Sequence, residues 1–317
     1  MRAVTIVIGF VLLAGSAFGQ PAPQAAAADR RPIGVVTLAA PEYRSPQNPR
    51  GWSPDIHGTG PAALVARDGN YAKRFGERLL AHADRCVRWA KLADCQAVLV
   101  WDIEGQEFDP PVSYVGDPRV LPPEMTTALA QAFFQKFKDA GIQVGGTIRP
   151  QTLVQTPYGP RQFRTGDPAI VLTEKTNLAR LFYGWRFFYV EANTTADSHA
   201  DGKPHPLPAE IFAKLAKTFP DCKFIPEFEG PGYGDVATVF PWRSFGDGSP
   251  DVPPGRGALA VRPDDNSLSS ANSATLVAAF KSGSIPVIPV DRPLSEAWWP
   301  KLLEVYKLAG YEPARKP

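Results

Sequence analysis

Short apolar runs alternate with longer amphipathic stretches over most of the chain. The runs are bounded by Gly, Pro and polar residues, which is typical of buried strands. We predict strands at Ile33–Leu38, Ala97–Ile103, Gln143–Ile148, Phe187–Glu191, Lys223–Glu227, Ala258–Arg262 and Ile285–Val290. An additional strand would fit Val236–Phe240.

The stretches between these strands repeat apolar residues with the spacing of a helix. In the first stretch Phe75, Leu79, Ala83 and Val87 would lie on one face. We predict helices at Tyr71–Leu92, Pro123–Ala140, Glu174–Tyr183, Ala209–Thr218, Ser273–Lys281 and Ser295–Leu308. Strands that alternate with helices form parallel sheets. The pattern therefore predicts an α/β fold, a (β/α)8 TIM-like barrel that is distorted or incomplete, with an open doubly wound sheet as the alternative.

Acidic side chains follow several of the predicted strands. Asp102 and Glu104 come at the end of the second strand, Glu191 at the end of the fourth and Glu227 at the end of the fifth. The C-terminal ends of barrel strands meet at one mouth, where such barrels carry their chemistry. Residues two apart on a strand share a face, so Asp102 and Glu104 would point the same way. These four carboxylates are the candidate catalytic residues.

Paired carboxylates at one mouth fit the hydrolysis of a glycosidic bond. One carboxyl group protonates the leaving oxygen, and the other acts as a nucleophile or as a base for water. Burial or a neighbouring negative charge keeps the acid protonated near neutral pH. We therefore predict an enzyme with a carbohydrate substrate. The alternatives are a carbohydrate-binding barrel without catalysis and a metal-dependent hydrolase that would use Asp197, His199 and Asp201.

Other side chains near the strand ends are candidates for substrate binding. Arg149 and Arg262 end the third and sixth strands. Each could hold a carboxylate or a hydroxyl of the substrate, in which case the sugar could be acidic, or it could hold a catalytic carboxylate of the protein. Aromatic faces stack on sugar rings as they pack on any apolar plane. The remaining candidates are Trp52, Tyr114, Asn193, Glu229 and Asp291.

The composition narrows the choice of partners and cofactors. The 317 residues carry a formal net charge of +2, which gives no electrostatic reason to expect nucleic acid. Cys86 and Cys95 are near enough in sequence to form a disulfide in an exported protein, and Cys222 would then be unpaired. Neither a dinucleotide-binding glycine motif nor a P-loop occurs. No cofactor is predicted, and no metal at the catalytic carboxylates.

The N-terminus has the pattern of a secretory signal peptide. A basic start is followed by the apolar run Ile6–Phe18 and by small residues that fit cleavage near Gly19. The run is too short to span a bilayer comfortably. We predict a signal peptide over residues 1–19, a flexible leader over residues 20–31 and a single barrel domain over residues 32–317. The protein would be secreted or periplasmic, and free of the membrane after cleavage.

The segment Asp139–Pro150, which reads DAGIQVGGTIRP, resembles a segment of barrel glycoside hydrolases of the α-galactosidase and α-glucosidase type. In those barrels a helix ends in a similar turn and the next strand leads to a proline. The resemblance implies a (β/α)8 fold with acids at the strand ends. Those families usually have an aspartate nucleophile after the next strand, where this chain has Glu191. The resemblance therefore does not identify the nucleophile of this chain. The run Trp101–Glu104 resembles the Asp-x-Glu strand ends of chitinase-like and lysozyme-like barrels, without their longer motif.

Overall fold

The structure is a computed structural model that describes residues 29–59, 70–106, 114–157, 159–163, 167–195, 203–238, 258–260, 270–292 and 298–311. The predicted signal peptide lies outside these ranges, and so do Arg262 and the loop with Asp197, His199 and Asp201. None of the helices within them has the length and apolar character needed to cross a membrane.

Strands and helices alternate as the sequence predicts. The strands are β1 Ile33–Thr37, β2 Ala97–Trp101, β3 Gln143–Ile148, β4 Thr152–Thr156, β5 Gly159–Phe163, β6 Phe187–Val190, β7 Lys223–Pro226, β8 Ala258–Ala260 and β9 Ile285–Pro289. The helices are α1 Pro54–His57, α2 Tyr71–Leu92, α3 Thr127–Asp139, α4 Pro168–Tyr183, α5 Ala209–Thr218, α6 Tyr233–Val236, α7 Ser270–Lys281 and α8 Trp298–Leu308. Short 3-10 turns lie at Pro41–Tyr43 and Pro118–Val120.

The main sheet is wound in one direction. Its strands lie in the order β7-β6-β3-β2-β1-β9-β8, and all neighbours are parallel. Strand β1 pairs with β2 on one side and with β9 on the other, as in a ring. A doubly wound sheet would instead reverse its order at a switch point. The predicted barrel is confirmed and the open sheet is wrong. Within the described residues β7 and β8 do not pair, which leaves the barrel incomplete.

Alternating strand residues fill two separate cores. Residues that point into the ring pack against each other, and residues that point outward pack under the helices. The inner group is Ile33, Ala97, Leu99, Phe187, Tyr189, Ile225, Ile285 and Val287, with Val35 and Trp101 at its edge. The outer group is larger and includes Val36, Val98, Val144, Phe188 and Ile288. This alternation decides which strand-end side chains face the mouth.

The structure differs from the predicted elements in three places. Helix α4 begins at Pro168 rather than near Glu174, because the Asp167 side chain caps it by accepting a hydrogen bond from Ala169 N at 2.8 Å. The segment between β3 and α4, predicted as a loop, contains the antiparallel hairpin β4–β5. The predicted strand at residues 236–240 is wrong at its start, since residue 236 ends helix α6, and residues 239 and 240 lie outside the described ranges.

The side chain of Gln96 closes the bottom of the barrel, at the N-terminal ends of the strands. Its amide donates to Asp29 O at 3.0 Å and to Arg31 O at 2.5 Å. Lys223, at the start of β7, donates to Gln96 Oε1 at 3.0 Å. The end of the segment predicted as a flexible leader is therefore tied to two strands of the barrel.

The three cysteines are free thiols. Cys86 and Cys95 are buried and not bridged, so the disulfide considered from the sequence is not formed. Burial raises the pKa of both thiols, and it raises the pKa of Cys222 to about 11. None of the three therefore has the thiolate character of a nucleophile.

Candidate active site

The centre of the site is an ion pair between Arg149 and Glu191. Arg149 follows β3 and Glu191 follows the neighbouring strand β6. The guanidinium donates from Nη2 to Glu191 Oε1 at 2.8 Å and from Nε to Oε2. Burial alone would lower the pKa of Arg149, but the pairing with Glu191 outweighs burial and raises it. Arg149 therefore holds a carboxylate of the protein, the second of the two roles considered from the sequence.

Glu227 is the next carboxyl group at the mouth. It follows β7, which pairs with β6, and it is 7% exposed. Its Oε2 accepts a hydrogen bond from Ala192 N at 2.6 Å. Burial and the negative charge of Glu191 raise the pKa of Glu227, while Arg149 lowers it. A carboxyl group with a raised pKa beside an ionised carboxylate has the environment of a general acid.

Asp102 is the third carboxyl group and directly follows β2. Its backbone has φ of +58°, the left-handed conformation that few residues other than Gly, Asn and Asp adopt. It is 1% exposed, and its Oδ2 accepts a hydrogen bond from Gln106 Nε2 at 2.6 Å. Burial, Glu104 and Glu191 raise the pKa of Asp102 well above its ordinary value. The surroundings of Asp102 therefore disfavour its charged form.

Tyr114 and Gln106 connect Asp102 to the central ion pair. Gln106 Nε2 lies 3.4 Å from Tyr114 Oη, and the Arg149 guanidinium lies over the Tyr114 ring, 4.9 Å from its centroid. Burial raises the pKa of Tyr114 to about 12, and the charges of Asp102 and Glu191 contribute. One face of the tyrosine ring is covered by the arginine, and the ring is half-buried.

Glu104 faces a different set of groups from Asp102. The sequence predicts that the two share a face, but the positive φ of Asp102 ends the extended conformation on which that prediction rests. Glu104 Oε1 accepts a hydrogen bond from Gly116 N, and Oε2 is buried without a partner among the described residues. Burial raises the pKa of Glu104 to about 7; Lys175 lowers it and Asp117 raises it.

Lys175 is a site residue that the sequence reasoning missed. It lies in α4, is 2% exposed, and donates from Nζ to Arg149 O at 2.8 Å and to Gln151 O at 2.7 Å. Burial lowers the pKa of Lys175 to about 8, although nearby carboxylates raise it. The lysine thus fixes the backbone that carries the central arginine. The available signal was its position between Leu172 and Ala179 on the buried face of a helix.

Two of the predicted substrate contacts are buried structural residues. The Trp52 indole is 1% exposed, donates to Glu124 Oε1 at 3.0 Å and packs edge-on against Phe75. The Asn193 side chain is fully buried, donates to Phe228 O at 3.0 Å and accepts from Phe228 N at 2.7 Å. The two hydrogen bonds between Asn193 and Phe228 join the segment after β6 to the segment after β7. Both side chains are therefore buried, and neither lies on the surface of the mouth.

The remaining predicted contacts are spread around the mouth. Glu229 is exposed beyond the end of β7. Asp291 follows β9 and accepts a hydrogen bond from Thr37 N, at the end of β1, at 3.0 Å. Within the described ranges no group of three or more His, Cys, Asp or Glu side chains is arranged to hold a metal ion. Arg262, the other arginine predicted to contact the substrate, lies outside those ranges.

No protein-family model matches the sequence, and no curated protein matches it either. Solved structures do match. An α-amylase from Geobacillus thermoleovorans, complexed with acarbose, superposes with a TM-score of 0.50 at 9% identity, over 90% of this chain and 78% of the amylase. The chain has the barrel fold of this glycoside hydrolase. The resemblance expected from the sequence is thus confirmed at the level of the fold.

Two further solved structures are similar at lower scores. An α-L-fucosidase from Lactobacillus casei, in complex with α-L-fucose, has a TM-score of 0.40 at 14% identity over 88% of this chain and 95% of its own. An α-amylase from Malbranchea cinnamomea has a TM-score of 0.48 at 11% identity over 88% of this chain and 75% of its own. All three structures are glycoside hydrolases.

Proposed function

We propose that the protein is an exported glycoside hydrolase that uses Glu227 and Glu191 to cleave a glycosidic bond. The observation that carries the proposal is the group of Asp102, Glu191 and Glu227 around Arg149, contributed by the ends of β2, β6 and β7. The shared fold with an α-amylase supports the substrate class. The apolar run at residues 6–18 supports export.

The two glutamates differ in the way that this reaction requires. Glu227 has the raised pKa of a proton donor, and it would protonate the leaving oxygen. Glu191 is paired with Arg149 and supplies a negative charge as nucleophile or as base for water. Both of its oxygens accept a bond from the arginine, but a carboxylate has about four lone-pair positions, so each oxygen retains one for the reaction.

The proposal is tested with Glu227→Gln and Glu191→Gln on a panel of methyl and 2,4-dinitrophenyl glycosides. A dinitrophenolate leaves without a proton, so Glu227→Gln should lose roughly 10²- to 10⁴-fold in kcat/KM on methyl glycosides and far less on the dinitrophenyl ones. Glu191→Gln should lose activity on both. Glu229→Gln, which removes an exposed charge nearby, is the matched control.

Equal activity of the wild-type protein and Glu227→Gln on methyl glycosides would contradict the assignment of the acid. If the wild-type protein hydrolyses no glycoside in the panel, the carbohydrate-binding barrel without catalysis becomes the better description.

A further inference from the structure

A hydrogen bond from the turn after β6 orients the carboxyl group of the candidate acid. The Ala192 N–H donates to Glu227 Oε2 at 2.6 Å. The Glu227 main chain is held against β6, since its own N–H donates to Val190 O at 3.1 Å. With the main chain fixed there, the bond from Ala192 decides where the end of the Glu227 side chain lies.

The next residue of the turn, Asn193, is tied to the residue beside the acid. Its side chain is fully buried. The amide oxygen accepts a hydrogen bond from Phe228 N at 2.7 Å, and the amide nitrogen donates to Phe228 O at 3.0 Å. Because Phe228 directly follows Glu227, one side chain holds the turn after β6 against the segment that carries the acid.

A closed ring of hydrogen bonds keeps Asn193 in this orientation. Its amide nitrogen also donates to Tyr233 Oη at 3.2 Å, and that hydroxyl donates to Leu207 O at 2.5 Å. The N–H of Leu207 donates back to Asn193 O at 2.8 Å. A buried polar network whose members all have partners is rigid, so it can fix a neighbouring group precisely.

The backbone of the turn is strained, and the strain has a local use. Ala192 has φ of +49°, a left-handed conformation that glycine adopts freely and alanine does not. This angle relates the N–H of Ala192 to the chain that follows, so it lets residue 192 bond Glu227 while residue 193 reaches Phe228. Strained backbone persists where the surrounding structure holds it, and it is concentrated at functional sites.

Glu191 is held by other contacts. Its side chain is paired with Arg149, and its N–H donates to Ile148 O at 2.9 Å. A change in the turn at residues 192–193 would therefore release Glu227 while Glu191 stays in its ion pair. The two carboxyl groups of a glycosidase must keep a fixed separation across the bond that they cleave. The turn is the part of the described site that can set this separation.

We propose that Ala192 and Asn193 are positioning residues that hold the Glu227 carboxyl group at a fixed place relative to Glu191 for proton transfer to the leaving oxygen. The proposal rests on the proposed function, because it assumes that Glu227 is the acid. Asn193 is buried, so it acts through Glu227 and not by touching the substrate as the sequence suggested.

Asn193→Ala tests the proposal with the methyl and 2,4-dinitrophenyl glycosides. A misplaced acid should lower kcat on methyl glycosides roughly 10- to 10²-fold with little change in KM, and should affect the dinitrophenyl glycosides far less. Asn48→Ala is the matched control. Asn48 is also buried and also bonds both backbone groups of one residue, Trp52, but it lies in the segment after β1. It should leave the ratio of the two rates unchanged.

A double-mutant cycle separates positioning from general damage. If Asn193 acts through Glu227, Asn193→Ala should cause almost no further loss on methyl glycosides once Glu227 is already Gln. Full additivity of Asn193→Ala and Glu227→Gln would overturn the proposal. Thermal unfolding of each variant confirms that it is folded.

A second measurement needs no substrate and no Asn193 variant. Carbon-13 NMR of the glutamate carboxyl groups reports the pKa of Glu227, whose signal is the one missing from Glu227→Gln. The Ala192 N–H lowers that pKa, while burial and Glu191 raise it and Arg149 lowers it. Ala192→Val, a β-branched residue strained at this φ, should lose the bond and raise the pKa. Ala192→Gly accepts the same φ and should keep the wild-type pKa.

The outcomes distinguish this proposal from the proposed function. Wild-type hydrolysis of methyl glycosides together with an unchanged Glu227 pKa in both Asn193→Ala and Ala192→Val overturns the positioning roles and leaves the hydrolase. A wild-type protein that hydrolyses no glycoside overturns the hydrolase, and the positioning roles in catalysis with it, even where the NMR titration shows that the turn holds Glu227.

Discussion

Each carboxyl group at the mouth has its own set of hydrogen-bond donors. Glu191 receives two hydrogen bonds from a guanidinium, Glu227 receives one from a backbone N–H, and Asp102 receives one from the uncharged Gln106 amide. Bonds from a cation favour the ionised form far more than bonds from a neutral donor. Carboxyl groups therefore have different surroundings within one small group, and Glu191 and Glu227 can take different chemical roles.

Glu104 permits a direct measurement of what burial does to a carboxyl group in this protein. Its folded-state pKa of about 7 lies above the ordinary value of 4.5, so burial favours the protonated form. The resulting contribution to stability is complete below pH 4.5 and is lost as the pH rises through 7. Between these limits the wild-type protein should lose about 3 kcal/mol of unfolding free energy relative to Glu104→Gln, in urea titrations at several pH values.

The exposed Glu229 supplies the control for that measurement. Glu229→Gln removes the same charge without changing a buried group, so its unfolding free energy should follow the wild-type pH dependence. Parallel curves for the wild-type protein and Glu104→Gln would contradict the raised pKa of Glu104.

Among the elements, β3 shows how closely the strands approach near the site. A Cβ added to Gly145 would lie 2.0 Å from Phe187 O in the neighbouring strand, and one added to Gly146 would lie 2.3 Å from the Trp185 ring. Glycine at both positions therefore lets β3 and β6 pair in the register that places Arg149 beside Glu191. The glycine pair was visible in the sequence, but the close contacts that require it were not.

Gly145→Ala should destabilise the protein, because the obstructing atom belongs to the backbone and cannot rotate away. Overpacking of this kind costs about 1–3 kcal/mol, which denaturant titration measures directly. Gly234→Ala is the matched substitution, since a Cβ there meets nothing within 4 Å. A loss of stability in Gly234→Ala equal to that in Gly145→Ala would show that the contact with Phe187 is not the cause.

The order of elements was predictable because each depends on local patterns. Tyr71–Leu92, Gln143–Ile148 and Ala209–Thr218 occur with the predicted bounds, since hydrophobic spacing and end signals lie within each segment. The hairpin β4–β5 was missed because its strands do not alternate apolar and polar residues, and its apolar residues Val154 and Phe163 are exposed.

At the scale of the whole molecule, the sequence predicted that acids would gather at the mouth but not which contacts they would make. The ring topology follows from alternation and brings Glu191 and Glu227 together. The roles of Lys175, Trp52 and Asn193 depend on contacts between segments distant in sequence, so no local pattern contains them.

Gln96 joins the N-terminal segment, β2 and β7 across the base of the barrel. Gln96→Leu should lower the unfolding free energy by about 1–3 kcal/mol, because Lys223 loses its acceptor and two backbone carbonyls lose their donor. Hydrogen exchange at residues 29–31 should accelerate at the same time. Gln143→Leu, an exposed glutamine at the start of β3, is the control and should leave that exchange unchanged.

The left-handed backbone of Asp102 restricts how this position can evolve. A β-branched or bulky residue would be strained there, whereas glycine, asparagine and aspartate accept the conformation. Asparagine has the shape of aspartate but no acidic proton, so a lineage can remove the titratable group through Asn without disturbing the turn. Selection on folding therefore limits this position to a few residues, and selection on chemistry acts among them.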